Sequence, residues 1–235
     1  LISSNVEHSP NGTKHFFVRD PYGNIFQVIE SDNHYIKNKN ETGGVFGAII
    51  GVSDIEKSID FYKNVLGYDV IDWQGEGQFE DFDSINTSKH LYKRAILSHS
   101  NVRKGSFSQL LGPSQIELVQ NLTENGQKIY KDRYWGDLGF IHLCFDIIGM
   151  KKLQVACEKA GHPFTVDSAN SFDMGEAAGH FSYIEDPDGA LIEFVETHKI
   201  PIFKKIGWYL DIRKRDPLKP LPKWMIKSLG LNKKQ

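Results

Sequence analysis

Two stretches of apolar residues in this chain follow the same plan. Residues 16–30 and 183–196 each contain an apolar strand, an Asp-Pro-x-Gly turn and a second apolar strand. Short apolar runs on either side of a Gly-containing turn are typical of a β-hairpin. A unit that recurs along a chain usually cannot bury its apolar face without a neighbour. The pattern therefore predicts a protein built from repeats.

A helix precedes the strands in the fuller repeats. An apolar run at 48–52 has the length of a strand, and apolar residues recur at helical spacing over 55–66. Ser53 or Asp54 can cap the start of this helix, and Gly67 stands where a helix ends. The repeat thus has the order strand, helix, then strands.

The same order occurs twice. The first repeat closes with a strand at 114–120. The second begins with a strand at 141–147 and a helix over 149–160, which Gly161 closes. Its remaining strands are predicted near 163–167, 180–185 and 190–196.

Bulk composition narrows the class of protein. The chain is 40% hydrophobic and 25% charged, which is ordinary for a soluble globular protein. No apolar run is long enough to predict a transmembrane segment. Cys144 and Cys157 are the only cysteines and make no disulfide framework, so a reducing compartment, the cytoplasm, is expected.

The charge is distributed unevenly along the chain. Residues 199–235 contain eleven Lys or Arg and two Asp, so the rest of the chain carries about eleven net negative charges. Prolines divide this basic tail into at most two short helices, about 202–212 and 222–229. We interpret it as a segment that packs over the acidic body or a partner subunit. A membrane-surface or nucleic-acid role has no second signal, so no nucleic acid is expected as a partner.

The motifs together resemble one known family. Ser-Ile-Asp-Phe-Tyr-Lys-Asn-Val-Leu-Gly at 58–67, Ile-Glu-Leu-Val at 116–119 and the Asp-Pro-Asp-Gly hairpin at 186–196 occur in the order seen in the vicinal oxygen chelate superfamily. This superfamily includes glyoxalase I, methylmalonyl-CoA epimerase, extradiol dioxygenases and bleomycin-resistance proteins, and the chain is most similar to glyoxalase I. The resemblance implies an α+β fold, in which paired βαβββ units form a curved mixed sheet around a cavity, with helices outside.

The resemblance also implies a metal site. Its four ligand positions fall on Gly47, Glu117, His142 and Glu193, and three of these side chains can bind a metal. One imidazole and two carboxylates suit a divalent ion such as Zn, Ni, Co, Mn or Fe. Gly47 offers no side chain. Three histidines are candidates to replace the missing ligand, namely His90, His99 and His180.

The function implied is that of a metal-dependent lyase, isomerase or epimerase acting on a small molecule. The metal would chelate a carbonyl, and Glu193 or Glu117 would act as general base on the neighbouring carbon. Two alternatives stay open. One is a non-catalytic binding or sequestering protein, which Gly47 favours. The other is a ring-cleaving dioxygenase, which is less favoured because its first His position is Gly47.

The domain boundaries follow from the repeats. The chain opens inside the tail half of a unit, so we expect it to be a piece of a longer protein. A homodimer is an open alternative, because such units pair within a chain or between chains. The predicted segments are an incomplete unit at 1–30, a linker at 31–43, a vicinal oxygen chelate domain at 44–197 with units 44–121 and 137–197, and a basic extension at 198–235.

The loop at 75–89 and the cysteine Cys144 can each be interpreted in two ways. The acidic and aromatic loop at 75–89 is long for a hairpin connection, so it covers the cavity mouth or is a solvated loop. Cys144 lies on the same face of its strand as His142, where it lines the cavity or is a structural thiol.

Overall fold

The computed structural model describes residues 2–36, 43–85, 87–168, 172–173, 178–203 and 206–230. Part of the predicted linker, residues 37–42, lies outside this range. The chain divides into two compact units. Unit 1 comprises Leu1–Ser100, Pro113–Ile141 and Asp186–Ala190, and unit 2 comprises Asn101–Gly112, His142–Glu185 and Leu191–Gln235.

The N-terminal segment of unit 1 is a small antiparallel sheet. Its strands are β1 (Glu7–His8), β2 (Lys14–Arg19) and β3 (Ile25–Ile29), in the order β1-β2-β3. The Asp-Pro-Tyr-Gly turn between β2 and β3 forms because the Asp20 carboxylate accepts hydrogen bonds from the backbone N–H groups of Tyr22 and Asn24. The hairpin predicted from the pattern is present.

The first full βαβββ repeat also lies in unit 1. It runs β4 (Gly47–Gly51), α1 (Ile55–Leu66), β5 (Val70–Gly77), β6 (Tyr92–Ser98) and β7 (Gln115–Asn121). The sheet order is β4-β7-β6-β5, and β4 runs parallel to β7. A 3-10 helix, Glu80–Ile85, interrupts the connection between β5 and β6.

Helix α1 has the ends that the sequence predicts. The Asp54 side chain accepts from the Lys57 backbone N–H at 3.1 Å, and Gly67 adopts the left-handed conformation that closes the helix. Two side chains of β7, Ile116 and Leu118, are buried on alternate positions and face away from Glu117. Glu117 is therefore held on the opposite face of this sheet.

Unit 2 repeats the same order. It contains α2 (Ser108–Leu111), β8 (His142–Asp146), α3 (Met150–Lys159), β9 (Val166–Asp167), β10 (Phe172–Asp173), β11 (Ala178–Glu185) and β12 (Leu191–Phe203). Strand β12 pairs in parallel with β8 and antiparallel with β11, as β7 does with β4 and β6. The mixed α+β fold with two βαβββ repeats is thus confirmed.

The basic tail differs from its prediction in one part. The expected helix over 202–212 is wrong, because β12 continues to Phe203 and β13 (Trp208–Asp211) pairs with it. The rings of Phe203 and Trp208 stack with centroids 6.1 Å apart, and Gly207 takes a positive φ of 66° at the turn. Cross-strand aromatic packing of this kind favours a hairpin over an isolated short helix.

The second helix of the tail is present. A short 3-10 helix, Ile212–Lys214, leads to α4 (Lys223–Leu229), which packs against β12 with Ile226 buried. The tail therefore lies back on its own unit. Among the residues that the model describes, no helix has both the length and the apolar composition needed to cross a membrane.

Candidate functional site

Unit 2 brings two of the predicted site residues together. His142 begins β8 and Glu193 lies on β12, where the parallel register sets Leu191 opposite His142. The His142 Nε2 atom lies 3.0 Å from Glu193 Oε2. The side chains are 23% and 17% exposed, so the pair is shielded but reachable. We call these two residues the His–Glu pair.

Neighbouring side chains fix the orientation of the His–Glu pair. The Tyr183 hydroxyl lies 3.5 Å from His142 Nδ1, and the two rings meet edge to face with centroids 5.5 Å apart. A neutral imidazole with its proton on Nε2 satisfies both contacts, because it donates to Glu193 and accepts from Tyr183. The Cys144 thiol also hydrogen-bonds Glu193. Two donors therefore hold the Glu193 carboxylate in place.

The thiol of Cys144 is not poised for nucleophilic chemistry. Part of the Cys144 surface is exposed. The surrounding protein still excludes most of the water from the thiol, and this burial is the main cause of its raised pKa. The hydrogen bond to Glu193 and the negative charge of that carboxylate raise it further, so the pKa of Cys144 is about 12. A thiol of this kind stays protonated at neutral pH and is a hydrogen-bond donor.

Glu117, the third predicted ligand, lies in unit 1 in a different setting. Arg94 of β6 donates to the Glu117 carboxylate from Nε at 2.6 Å. The same guanidinium donates to both oxygens of Asp81, at 2.7 and 2.9 Å. Arg94 is fully buried, and Asp81 and Glu117 are 4% and 8% exposed. Both of these carboxylates are therefore engaged by a buried cation of the chain itself.

The N-terminal segment also reaches this cluster. His15 of β2 is fully buried, and its Nε2 lies 3.5 Å from Asp81 Oδ2. The Arg94 guanidinium lies over the rings of Phe82 and Phe79, with its Cζ atom 4.0 and 4.6 Å from their centroids. These are cation–π distances. We call Arg94, Asp81, Glu117 and His15 the buried charge cluster.

The two carboxyl groups of the cluster respond differently to burial. Burial acts to raise the pKa of Asp81, but the contacts with His15 and Arg94 outweigh it and hold that pKa below its usual value. Burial raises the pKa of Glu117, and the positive charge of Arg94 offsets only part of this. Asp81, which shares two hydrogen bonds with the guanidinium, is thus the better stabilised anion.

The backbone around position 47 leaves no room for a metal-binding side chain. A Cβ atom built on Gly47 would lie 1.9 Å from the carbonyl oxygen of Gln115, the residue paired with it on β7. Real Cβ atoms do not approach an oxygen so closely, so the backbone would have to move. Close approach of two strands explains why glycine stands here.

The three histidines considered as replacements have other contacts. His90 lies 3.1 Å from the Asn121 side chain, and His99 contacts the Gly67 carbonyl at 2.5 Å. His180 of unit 2 is paired with Asp167 at 2.5 Å. In the part of the chain that the structure describes, no group of three or more His, Cys, Asp or Glu side chains is clustered for a metal.

A divalent metal therefore fits part of the predicted set. His142 and Glu193 are adjacent donors of the kind that Zn, Ni, Co, Mn or Fe accept. The Glu117 carboxylate accepts a hydrogen bond from Arg94, and Gly47 has no side chain that could bind a metal. The three-ligand centre stays a prediction.

Sequence reasoning missed the partners of Glu117. Arg94 stands in β6 directly before the apolar run at 95–97, where a buried charge is unusual, and this was a readable signal. Asp81 belongs to the acidic loop, and His15 lies 66 positions before Asp81 and 102 positions before Glu117. Contacts between residues so distant in sequence cannot be read from periodicity.

Unit 2 also contains a recess of about 290 Å³ at the end of β8 opposite His142. Asp146 and Glu196 lie on its wall. Burial, then the charge of Glu196, raises the pKa of Asp146 to about 6. Glu196 accepts a hydrogen bond from the Gly149 backbone N–H at 2.5 Å, next to the start of α3.

Known proteins resemble the region that holds both repeats. The family model of the Glyoxalase/Bleomycin resistance protein/Dioxygenase superfamily matches residues 44–194. A lactoylglutathione lyase of Pseudomonas putida is 25% identical over 154 residues, which are 63% of this chain and 82% of that protein. A glyoxalase family protein of Bacillus cereus has a TM-score of 0.51 at 16% identity, and the match covers 69% of this chain and 99% of that structure. The structural likeness supports the fold alone.

Proposed function

Because the chain belongs to the Glyoxalase/Bleomycin resistance protein/Dioxygenase superfamily, we propose that it is a glyoxalase-type enzyme of the lyase or isomerase class, acting on a small molecule. The reaction class is taken from the lactoylglutathione lyase of Pseudomonas putida, to which the chain is similar. The observation that carries the proposal is the His–Glu pair, with Nε2 and Oε2 3.0 Å apart and both side chains partly exposed.

Glu193 is the proton-transferring residue in this proposal. Its carboxylate takes the proton from the hydroxyl-bearing carbon next to a carbonyl. The electron pair of that C–H bond forms a C=C bond, and the carbonyl π pair moves onto the carbonyl oxygen to give an enediolate. The carboxylic acid then returns the proton to the former carbonyl carbon while the hydroxyl proton passes to the other oxygen, which leaves a new carbonyl at the first carbon, so no oxidant or reductant is needed. Positioned acid–base groups of this kind typically contribute about 10²–10⁴-fold in rate.

His142 and Cys144 are positioning residues. Both interact with the Glu193 carboxylate, and these interactions restrict its rotamers. A carboxylate that is already oriented loses less entropy when it meets the substrate carbon. The predicted divalent ion would supply polarisation of the carbonyl when bound, and His142 and Glu193 are the residues that would hold it.

A second candidate is a non-catalytic protein that binds a small molecule. The observation that favours it lies in unit 1, where Glu117 is paired with Arg94 and position 47 is glycine. Two of the four ligand positions implied by the family are then not available for metal.

Deuterium incorporation from solvent separates the two candidates. The wild-type protein is purified without chelator, its metal content is measured, and a panel of α-hydroxycarbonyl compounds and hemithioacetals is followed by NMR in ²H₂O. We expect exchange at the carbon beside the carbonyl, with a loss of roughly 10²–10⁴-fold in Glu193→Gln. Glu185→Gln, an exposed glutamate of the same unit, is the matched control and should keep the wild-type rate.

Absence of exchange across the panel, together with saturable binding of one of the same compounds, would replace the enzyme by the binding protein. Full exchange activity in Glu193→Gln would remove Glu193 from the reaction and contradict the proposed mechanism.

A further inference from the structure

The two repeats of the chain place a glutamate at the same point of the same topology. Glu117 pairs with Ile49 across the parallel strands β7 and β4, and Glu193 pairs with Cys144 across β12 and β8. Two residues earlier on the first strand of each repeat stand Gly47 and His142. The glutamates are therefore structural equivalents, and only Glu193 has a histidine at the position two residues before its strand partner.

Unit 1 supplies a different partner from the neighbouring strand. In the first repeat Glu117 pairs with Ile96, and Arg94 lies two residues before Ile96. In the second repeat Glu193 pairs with Tyr183, and Phe181 lies two residues before Tyr183. Arg94 and Phe181 thus occupy equivalent positions. The first repeat has glycine where the second has histidine, and arginine where the second has phenylalanine.

The exchange changes what the glutamate can do. A carboxylate that accepts a hydrogen bond at 2.6 Å from a fully buried guanidinium is already paired within the protein. A buried ion pair loses much of its stability if either partner is removed, because the other charge remains unpaired in a dry environment. Metal binding at Glu117 would require this separation.

The cluster joins segments that are distant in the sequence. Asp81 comes from the 3-10 helix Glu80–Ile85, and His15 comes from the N-terminal hairpin. Beside them Phe17, Phe82 and Tyr92 form a buried apolar cluster. The Ser3 hydroxyl further contacts the Ser84 hydroxyl at 3.1 Å. Charge and apolar contacts therefore hold both segments to the same face of the first sheet.

We propose that the buried charge cluster has taken over the ligand position of the first repeat and serves as a lock that fastens the N-terminal hairpin and the 3-10 helix Glu80–Ile85 onto the first sheet. Glu117 is then a structural anion, and the reactive residues of the protein come from unit 2. The lock does not depend on the proposed function, since it concerns contacts within unit 1 alone.

A double-mutant cycle on the full chain tests the lock. Arg94→Met and Glu117→Gln are made singly and together, and Tm is measured for each. Each single change is expected to lower Tm by roughly 10 °C. Arg94→Met leaves two buried carboxylates without their cation, and Glu117→Gln replaces a charge-assisted hydrogen bond to the buried guanidinium by a neutral one. The double variant should lose clearly less than the sum of the two, because Glu117 no longer remains as an unpaired buried carboxylate when Arg94 is removed. Asp81 loses Arg94 in both variants that carry Arg94→Met, so its cost appears in both and does not affect the coupling.

The chain provides a matched control next to Arg94. Lys93 lies 4.0 Å from Glu76, and these side chains are 40% and 51% exposed. Lys93→Met and Glu76→Gln, singly and together, should shift Tm by only roughly 2 °C, because exposed ion pairs contribute little. Hydrogen exchange should also quicken in β2 of Arg94→Met and remain unchanged in β8.

Two results would overturn the lock. Additive effects of Arg94→Met and Glu117→Gln would show that the pair is not coupled. A Glu117→Gln variant with unchanged Tm that loses a metal held by the wild type would make Glu117 a ligand. If a single variant fails to fold, the double variant provides the test. The proposed lock predicts that the double variant folds and keeps the metal content of the wild type, and failure of either would overturn it. Exchange activity in Glu193→Gln would contradict only the proposed function.

Discussion

The two repeats of this protein have the same strand order and the same parallel closing pair, yet their equivalent glutamates lie in opposite settings. Glu117 is 8% exposed and bound by Arg94, while Glu193 is 17% exposed and faces His142. The difference arises from side chains at two equivalent positions, Gly47 against His142 and Arg94 against Phe181. The two repeats thus share a backbone plan but differ in the neighbours of this glutamate, and we propose that this difference makes Glu117 structural and Glu193 reactive.

The largest expected effect concerns the thiol beside Glu193. With a pKa of about 12, Cys144 should react with iodoacetamide at pH 8 roughly a thousandfold more slowly than a free cysteine. Glu193→Gln removes the negative charge that contributes to this pKa, so alkylation should become faster. Peptide mass spectrometry over time measures both rates.

Glu185→Gln is the control for the thiol reaction, and it should leave the rate unchanged. A Cys144 that alkylates as fast as free cysteine in the wild type would mean that its thiol does not donate to Glu193. The orientation assigned to the carboxylate would then be wrong.

The docking of the N-terminal hairpin gives the next largest effect. Phe17 is 2% exposed within the apolar cluster of unit 1, so Phe17→Ala should destabilise the protein by about 3–5 kcal/mol. Tyr22→Ala in the turn of the same hairpin removes a ring that is 70% exposed and should cost less than about 0.5 kcal/mol. Urea unfolding monitored by fluorescence compares the two.

Equal stability of Phe17→Ala and Tyr22→Ala would show that the hairpin does not contribute to the core of unit 1. The proposed role of the buried charge cluster in holding the hairpin to the first sheet would then be wrong.

Position 47 tests why the first repeat lacks a ligand there. Gly47→Ala should cost about 1–3 kcal/mol, because its Cβ would overlap the Gln115 carbonyl oxygen and the strands must separate. Gly51→Ala, at the other end of β4, meets nothing within 4 Å and is the matched control. Thermal unfolding of both variants provides the comparison.

A Gly47→Ala variant as stable as Gly51→Ala would mean that the strands tolerate a side chain at position 47. Close strand packing would then not be the reason for glycine there.

The smallest effect concerns pH in unit 2. The pKa of Asp146 is raised to about 6 from an ordinary 3.8, so the folded state holds this proton more tightly than the unfolded state. Stability is therefore lost as pH rises from about 4 to about 6. Asp146→Asn should stabilise the protein above pH 6 by less than about 1 kcal/mol, because water still reaches part of the side chain. Below pH 4 it should leave Tm unchanged.

Thermal melts of wild type and Asp146→Asn at pH 4 and pH 7.5 measure this difference. An equal effect of the substitution at both pH values would exclude the titration of Asp146 as its cause.

The sequence predicted those parts of the fold that depend on local pattern. The Asp54 cap, the Gly67 end of α1 and the Asp-Pro-x-Gly turns are each decided by a few neighbouring residues, and all are present. The helix expected over 202–212 was wrong, because pairing with a preceding strand overrode the local tendency. Local signals are reliable only where no distant partner competes with them.

The candidate site, too, could be predicted only in part. The parallel pairing of β8 and β12 brings His142 and Glu193 together, as the repeat implies. The engagement of Glu117 by Arg94 and Asp81 was not predicted, because it depends on a loop that folds back over the first sheet. Whether a strand glutamate is free or paired is decided by tertiary contacts.

The most direct test of this account measures deuterium exchange and Tm in the same preparations of Glu117→Gln and Glu193→Gln. The account predicts opposite outcomes. Glu117→Gln should lose roughly 10 °C in Tm and keep the exchange rate at a temperature where it is folded, while Glu193→Gln should keep Tm and lose roughly 10²–10⁴-fold in rate. Loss of exchange in a stable Glu117→Gln would contradict the division between a structural and a reactive glutamate.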